Sequence, residues 1–242
     1  MDWAAADVPS HVIYRQVREN VIGFLTDRPD AAGRVVPACP DWTVRDLVNH
    51  LVDICVMVTR RLSGRPPDPE STGPGAAPAG TPGLARLLAE WAEAGEHLDR
   101  LAAEVAHPRG HVMAMDAFTH ELDLRRAVEL PPPAGHPGYA RLLGVVVGGF
   151  SGQVLARELP PLRIELPGAH WIAGRTGPTE LPLAATMRAP GPHDLYRTLT
   201  GRRTHAQIKA LSWSVDPAPW LPAFGWGPFS PPARPVEEPV GG

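Results

Sequence analysis

Hydrophobic residues recur at helical spacing in four separate stretches along the first part of the chain. The most regular stretch starts at Leu84, and its leucine, tryptophan and alanine positions follow one another at steps of mostly three or four residues. This period places the apolar side chains on one face of an α-helix, and that face must be buried against a partner. The pattern therefore predicts four amphipathic helices that pack together. The first, third and fourth cover residues 8–27, 84–105 and 111–130, and the second begins near residue 43.

The second of these helices has a well-defined predicted start. Pro37 and Pro40 precede it, and proline does not fit within a helix. Thr43 is followed three residues later by Asp46, which is the spacing of a capping box. The helix is therefore predicted to begin near Thr43. His50 falls on the flank of its apolar stripe, so we expect its side chain to point inward.

The period changes after Pro160. Residues 162–166 alternate between apolar and polar side chains, as in a half-buried strand, and residues 170–173 and 181–187 are candidate further strands. Gly191 and Pro192 start a short helix that Gly201 ends, and a second short helix is predicted over 204–211. The apolar segment 142–159 either forms a last helix of the first domain or crosses to the next.

These elements predict an α+β protein of two domains. A four-helix bundle would occupy residues 1–159, and a smaller α+β domain with an irregular, proline-rich tail would occupy residues 160–242. The stretch 65–83 is rich in proline and glycine, and it is predicted to be a loop that is either mobile or a cover over a site.

Composition excludes several classes of function. The formal charge is −3 with the two signs interspersed, so there is no basic face for nucleic acid. The N-terminus lacks a basic leader, and the apolar runs are too short to span a bilayer, which predicts a cytoplasmic protein without membrane contact. Cys39 and Cys55 are too few for a disulfide framework, and we interpret them as structural thiols.

Asp116 and His120 provide the strongest candidate chemistry. Residues four apart lie about 40° apart around a helix, so both side chains leave the same face. His50 is a further nitrogen donor on another helix, and two imidazoles with one carboxylate make a metal site with open coordination positions. Asp123 is predicted to orient His120 through its second ring nitrogen, or else to pair with Arg126.

Each of these residues also has a simpler interpretation. An inward histidine such as His50 is often a hydrogen-bonded core residue, and an Asp–His pair at this spacing also occurs as a salt bridge. Arg202 and Arg203 follow a helix end, where they either clamp a carboxylate or phosphate or remain solvated beside the helix dipole. The residues alone leave these alternatives open.

Three segments, 36–50, 116–127 and 199–208, resemble the mycothiol-dependent maleylpyruvate isomerase family of actinobacteria. The N-terminal half of that family belongs to the DinB-like group of metal-binding four-helix bundles. The resemblance implies zinc or another divalent ion held by His50, Asp116 and His120, with mycothiol as the cosubstrate. It also implies that an arginine of the second domain reaches the cleft, and Arg202 is the residue that fits.

The resemblance leads to a functional hypothesis. The protein is expected to be an enzyme that uses its metal to activate a low-molecular-weight thiol for transfer to an electrophilic small molecule, with Arg202 or Arg203 holding a substrate carboxylate. The isomerase is expected to carry Glu where this chain has Asp116, which favours S-transfer over isomerisation. The alternatives are a mycothiol-dependent cis-trans isomerase, a hydrolase that uses metal-bound hydroxide, and a non-catalytic ligand-binding protein. The chain is expected to be a monomer or a homodimer.

Overall fold

A computed structural model of the chain describes residues 7–65, 80, 82–104, 110–175 and 185–239. The chain divides into two compact units: the first is Val8–Pro133, and the second is the segment from Ala134 onward together with Asp7. The first unit is mainly helical and the second combines helices with a four-stranded sheet, so the predicted α+β class is confirmed. Most of the predicted loop 65–83 lies outside the described residues, as does the start of the strand predicted over 181–187.

The first unit is a bundle of the four predicted helices. The first two helices each pack against both the third and the fourth. Their core contains Trp91, whose indole nitrogen donates a hydrogen bond of 2.9 Å to the hydroxyl of Tyr14. The helices are α1 (Ser10–Thr26), α2 (Val44–Leu62), α3 (Leu84–Glu104) and α4 (Gly110–Ala127).

A two-stranded hairpin precedes α2. Strands β1 (Val35–Val36) and β2 (Cys39–Thr43) pair antiparallel, and β2 leads directly into the helix. Thr43 is the N-cap: its side chain accepts from the Asp46 amide, and the Thr43 amide donates to the Asp46 carboxylate at 2.9 Å. The predicted capping box is therefore confirmed. The hairpin itself was not predicted from the sequence.

The second unit contains a four-stranded sheet in the order β4-β3-β5-β6. The pair β3/β5 is parallel, and the pairs β3/β4 and β5/β6 are antiparallel. The predicted strands and short helices are present, with β6 as an addition, and the tail folds into a 3₁₀ turn over Ala218–Phe224. The bounds are α5 (Pro137–Ala156), β3 (Leu162–Leu166), β4 (Ala169–Ala173), β5 (Ala185–Arg188), α6 (Pro192–Leu199), α7 (His205–Lys209) and β6 (Ser212–Trp213).

Helix α5 belongs to the second unit. The sequence placed the domain boundary after residue 159, whereas the compact units divide before this helix, which packs against α6 and β4. Among the described residues, α5 is also the one helix long and apolar enough to cross a membrane by length and composition. Its buried residues recur three or four positions apart and include Leu143 and Phe150, which is the pattern of a helix packed on a protein core.

Candidate metal centre

Three side chains from two helices of the first unit converge on one point. His50 comes from α2, and Asp116 and His120 come from successive turns of α4. Their candidate ligand atoms all lie within 4.8 Å of one another. The side chains are 14%, 32% and 12% exposed, so all three are largely buried and Asp116 is the most accessible of them.

The spacing of the three groups fits a shared cation. Nε2 of His50 lies 3.5 Å from one carboxylate oxygen of Asp116, and Nε2 of His120 lies 3.6 Å from the other. Both distances exceed the usual range for a hydrogen bond. Zinc ligands at about 2.0–2.1 Å in tetrahedral geometry stand roughly 3.3 Å apart, which is close to these separations. Two nitrogens and one oxygen are also a donor set that a borderline divalent metal accepts.

Asp123 holds the ring of His120 in place. Its carboxylate oxygen lies 3.0 Å from Nδ1 of His120, and the aspartate is fully buried. A carboxylate at Nδ1 keeps the proton on that nitrogen and leaves Nε2 as a lone-pair donor facing Asp116. The predicted contact between Asp123 and His120 is therefore observed.

The hairpin before α2 places Trp42 beside both histidines. The Trp42 ring centroid lies 5.2 Å from that of His50 and 6.5 Å from that of His120. The two imidazoles themselves lie 5.4 Å apart and nearly perpendicular. Trp42 thus forms an apolar wall that restricts the orientation of the rings. Sequence reasoning did not assign this role, although Trp42 stands next to the helix cap.

Cys39, on the same hairpin, is the second residue whose position was missed. The sequence interpretation found no histidine at useful spacing and treated it as a structural thiol. In the structure its sulfur lies within 4.8 Å of ligand atoms of His120 and Asp123, and the three form a second group of potential metal donors. The sequence did not reveal this proximity because the contact joins a hairpin to α4, residues far apart in sequence; the structural role of Cys39 stays a prediction. Cys55, in contrast, is fully buried, with Tyr14 as a hydrogen-bond partner.

A further carboxylate contributes to the charge of the site. Asp53 lies one helical turn beyond His50 on α2, and it accepts a hydrogen bond of 3.0 Å from the Asn49 side chain. Burial raises the pKa of Asp53, and the charge of His50 and the Asn49 hydrogen bond oppose that rise without cancelling it. With Asp116 and Asp123 nearby, the surroundings of the histidines are rich in acidic groups that favour a bound cation.

The two arginines predicted to act on substrate lie in the second unit. Arg202 donates a hydrogen bond of 2.6 Å to the carbonyl of Thr200, and its guanidinium lies 5.7 Å from the ring centre of Phe229. Arg203 is buried and pairs with two carboxylates of its own unit, Asp194 and Glu237. Neither arginine is solvated, so that alternative is wrong, and a substrate contact for either stays a prediction.

Comparison with known proteins identifies the helical part of the chain. A family model described as the DinB superfamily matches residues 13–134, which is half of the chain and covers the four bundle helices from the fourth residue of α1 onward. The comparisons with curated proteins and with solved structures found no match.

Proposed function

The chain belongs to the DinB superfamily, and on that premise we propose that it is a metal-dependent enzyme that activates a low-molecular-weight thiol. The superfamily is often metal-binding and includes metal-dependent enzymes. By resemblance the thiol is mycothiol, and its acceptor is an electrophilic small molecule. The proposed reaction is transfer of the thiol sulfur to that acceptor in the cytoplasm.

The observation that carries the proposal is the convergence of His50, Asp116 and His120. Their separations suit one cation, and the donor set supplies three ligands, so further coordination positions stay available. A structural metal is usually enclosed by four protein ligands. A three-ligand site that is partly open therefore favours a catalytic role over a purely stabilising one.

Each residue of the site has a separate task in this proposal. His50, Asp116 and His120 hold the cation, and Asp123 fixes the tautomer of His120. Trp42 restricts the rings and excludes water from one side. A divalent cation bound here lowers the pKa of a neighbouring thiol, so that the nucleophilic thiolate forms at neutral pH.

The type of reaction is decided after the thiolate has added to carbon. If a leaving group departs, the product is a thioether, and the reaction is S-transfer. If the adduct loses the thiol again after rotation about a carbon–carbon bond, the result is cis-trans isomerisation. Asp116 is shorter by one methylene than the glutamate expected in the isomerase, which supports S-transfer as the first choice. Arg202 is the candidate to bind a substrate carboxylate.

The test is an assay of thiol transfer with purified protein loaded with zinc. Mycothiol and an activated aryl chloride are combined, and loss of free thiol is measured with and without a chelator. We expect turnover that depends on both metal and mycothiol and that is abolished by His50→Ala and Asp116→Ala. His97→Ala, an exposed histidine on α3, is the matched control and should retain full activity.

Two other results would redirect the assignment. Turnover of ester or amide substrates in the absence of any thiol would indicate a hydrolase that uses metal-bound hydroxide. Stoichiometric metal binding together with no thiol-dependent turnover over a panel of electrophiles would contradict the proposed enzyme and support a ligand-binding protein.

A further inference from the structure

A cluster of buried charges lies in the second unit, and all of its members come from that unit. Arg197 is fully buried and forms a two-point contact with Glu237, from Nε to one oxygen at 2.6 Å and from Nη2 to the other at 2.8 Å. Arg203 contacts the same carboxylate through Nη1 and binds Asp194 through Nη2 at 2.9 Å. Two guanidinium groups therefore converge on one carboxylate, and the two-point contact of Arg197 is a strong geometry for recognising that group.

Among the contacts described for this cluster, the charges of the two arginines are balanced while Glu237 is present. Two arginines face two carboxylates, and the adjacent His193 is uncharged at neutral pH because burial, assisted by Arg197, lowers its pKa to about 4. Without Glu237 the buried group would carry one excess positive charge. A ligand with a single negative charge would restore the balance, whereas a phosphate dianion would overcompensate it.

Glu237 reaches the cluster from a segment without regular secondary structure. The described residues after Phe229 form neither helix nor strand, and Glu237 is the buried residue among them. One further hydrogen bond lies nearby, from the Gln207 side chain to the carbonyl of Glu237 at 2.9 Å. Most of the segment is exposed, including Ala233, Arg234, Pro235, Glu238 and Pro239.

We propose that Arg197 and Arg203 form a carboxylate-binding socket that Glu237 occupies from within the chain, and that a small monocarboxylate exchanges with it. The socket is preformed because α6 and the turn that follows it fix both arginines. A buried ion pair is close to break-even in free energy, since the attraction largely offsets the cost of removing both charges from water. Exchange of one carboxylate for another therefore costs little, and Glu237 is favoured chiefly because it is tethered.

The tether sets the concentration that a competing ligand must reach. A group on a short flexible segment acts at an effective concentration of roughly millimolar order. A free carboxylate should therefore compete weakly with the wild-type chain and bind much better once the internal carboxylate is removed. This socket does not depend on the metal centre or on the proposed reaction.

The experiment is a chemical rescue with propionate, which reproduces the end of the glutamate side chain. Glu237→Ala opens the socket, and Glu238→Ala removes the same charge from the adjacent exposed position as the matched control. The midpoint of thermal unfolding is measured at increasing concentrations of propionate. Sodium chloride at equal ionic strength and propionamide, the neutral isostere, serve as control solutes. We expect an apparent Kd for propionate about tenfold or more lower in Glu237→Ala than in wild type.

The proposal is overturned if propionate stabilises the Glu237→Ala protein against thermal unfolding no more than it stabilises the Glu238→Ala protein. If Glu237→Ala does not fold, hydrogen exchange on the wild-type chain decides instead. Propionate should then speed exchange of the amides of Arg234, Val236 and Glu238 while propionamide does not. Unchanged exchange at saturating propionate would contradict the socket.

Discussion

The hydrogen bond between Asp123 and His120 gives the sharpest prediction about the metal centre. Asp123 is fully buried, and its oxygen lies 3.0 Å from Nδ1 of His120, on the side of the ring away from Asp116. Replacing it with alanine leaves all three proposed ligands in the chain. Any loss of metal affinity would therefore report how strongly the ring must be held in one orientation and one tautomer.

The expected loss can be worked out in two ways. A hydrogen bond to a buried charged group is worth about 1.5–3 kcal/mol, which corresponds to roughly 10- to 150-fold in an equilibrium constant. Removal of such a carboxylate behind a metal-binding histidine costs about 10- to 100-fold in affinity. We therefore expect Asp123→Ala to weaken zinc binding by about 10- to 100-fold. Asp123→Asn should lie between it and wild type, because its amide oxygen still accepts from Nδ1.

The assay is competition for zinc with a chromophoric chelator, with unfolding of the metal-free proteins measured in parallel. Asp99→Ala is the control, since it removes an aspartate from the same bundle by breaking the 2.7 Å ion pair with Arg18 and touches no proposed ligand. The control should bind zinc as wild type does. The reasoning would be refuted if Asp123→Ala, folded and metal-free at the start, bound zinc as tightly as the control.

Three further predictions concern stability. Thr43→Ala removes the N-cap of α2 and should lower the free energy of unfolding by about 1 kcal/mol in urea denaturation; an unchanged value would contradict the cap. Gly201→Ala should lower the free energy of unfolding by about 2 kcal/mol or more, because φ is +70° and the new Cβ would lie 2.8 Å from the Ser230 backbone. Gly144→Ala, on an open helix face, should leave that free energy unchanged or raise it. His193 has a pKa of about 4 in the folded protein and 6.5 in the unfolded chain. As the pH falls, the unfolded chain therefore takes up the proton first. The free energy of unfolding should then decrease between about pH 6.5 and pH 4, by up to on the order of 3 kcal/mol. His193→Asn should flatten that part of the stability profile, and an equal slope in both proteins would show that another group is responsible.

The local sequence was sufficient to predict the helices, because their signals are short-range. The apolar period of α3 and the capping box of Thr43 and Asp46 involve residues at most a few positions apart. The β1–β2 hairpin was missed because its strands are short, and because Pro37 between them and Pro40 within β2 resemble an irregular connection. The apolar pattern of α5 shows a helix and a buried face, but it does not say which unit covers that face.

The difference between short-range patterns and contacts between distant segments also explains which residues of the metal centre could be predicted. Asp116, His120 and Asp123 share one helix, so helical geometry was enough to place them on one face. His50 needed a contact between α2 and α4, which the resemblance suggested and the periodicity alone did not. Cys39 and Trp42 approach through the hairpin, and no local pattern indicates such a contact. Glu237 likewise meets Arg197 only through the path of an irregular tail.

The central claim is that His50, Asp116 and His120 bind a catalytic divalent metal, and elemental analysis of protein purified without chelator tests it most directly. Wild type is compared with His50→Ala, His120→Ala and the exposed control His97→Ala, each shown to be folded. We expect about one equivalent of zinc or another divalent ion in wild type and the control, and its loss from both site variants. Metal-free wild type that also fails to bind added zinc, or metal retained in both site variants, would contradict the site.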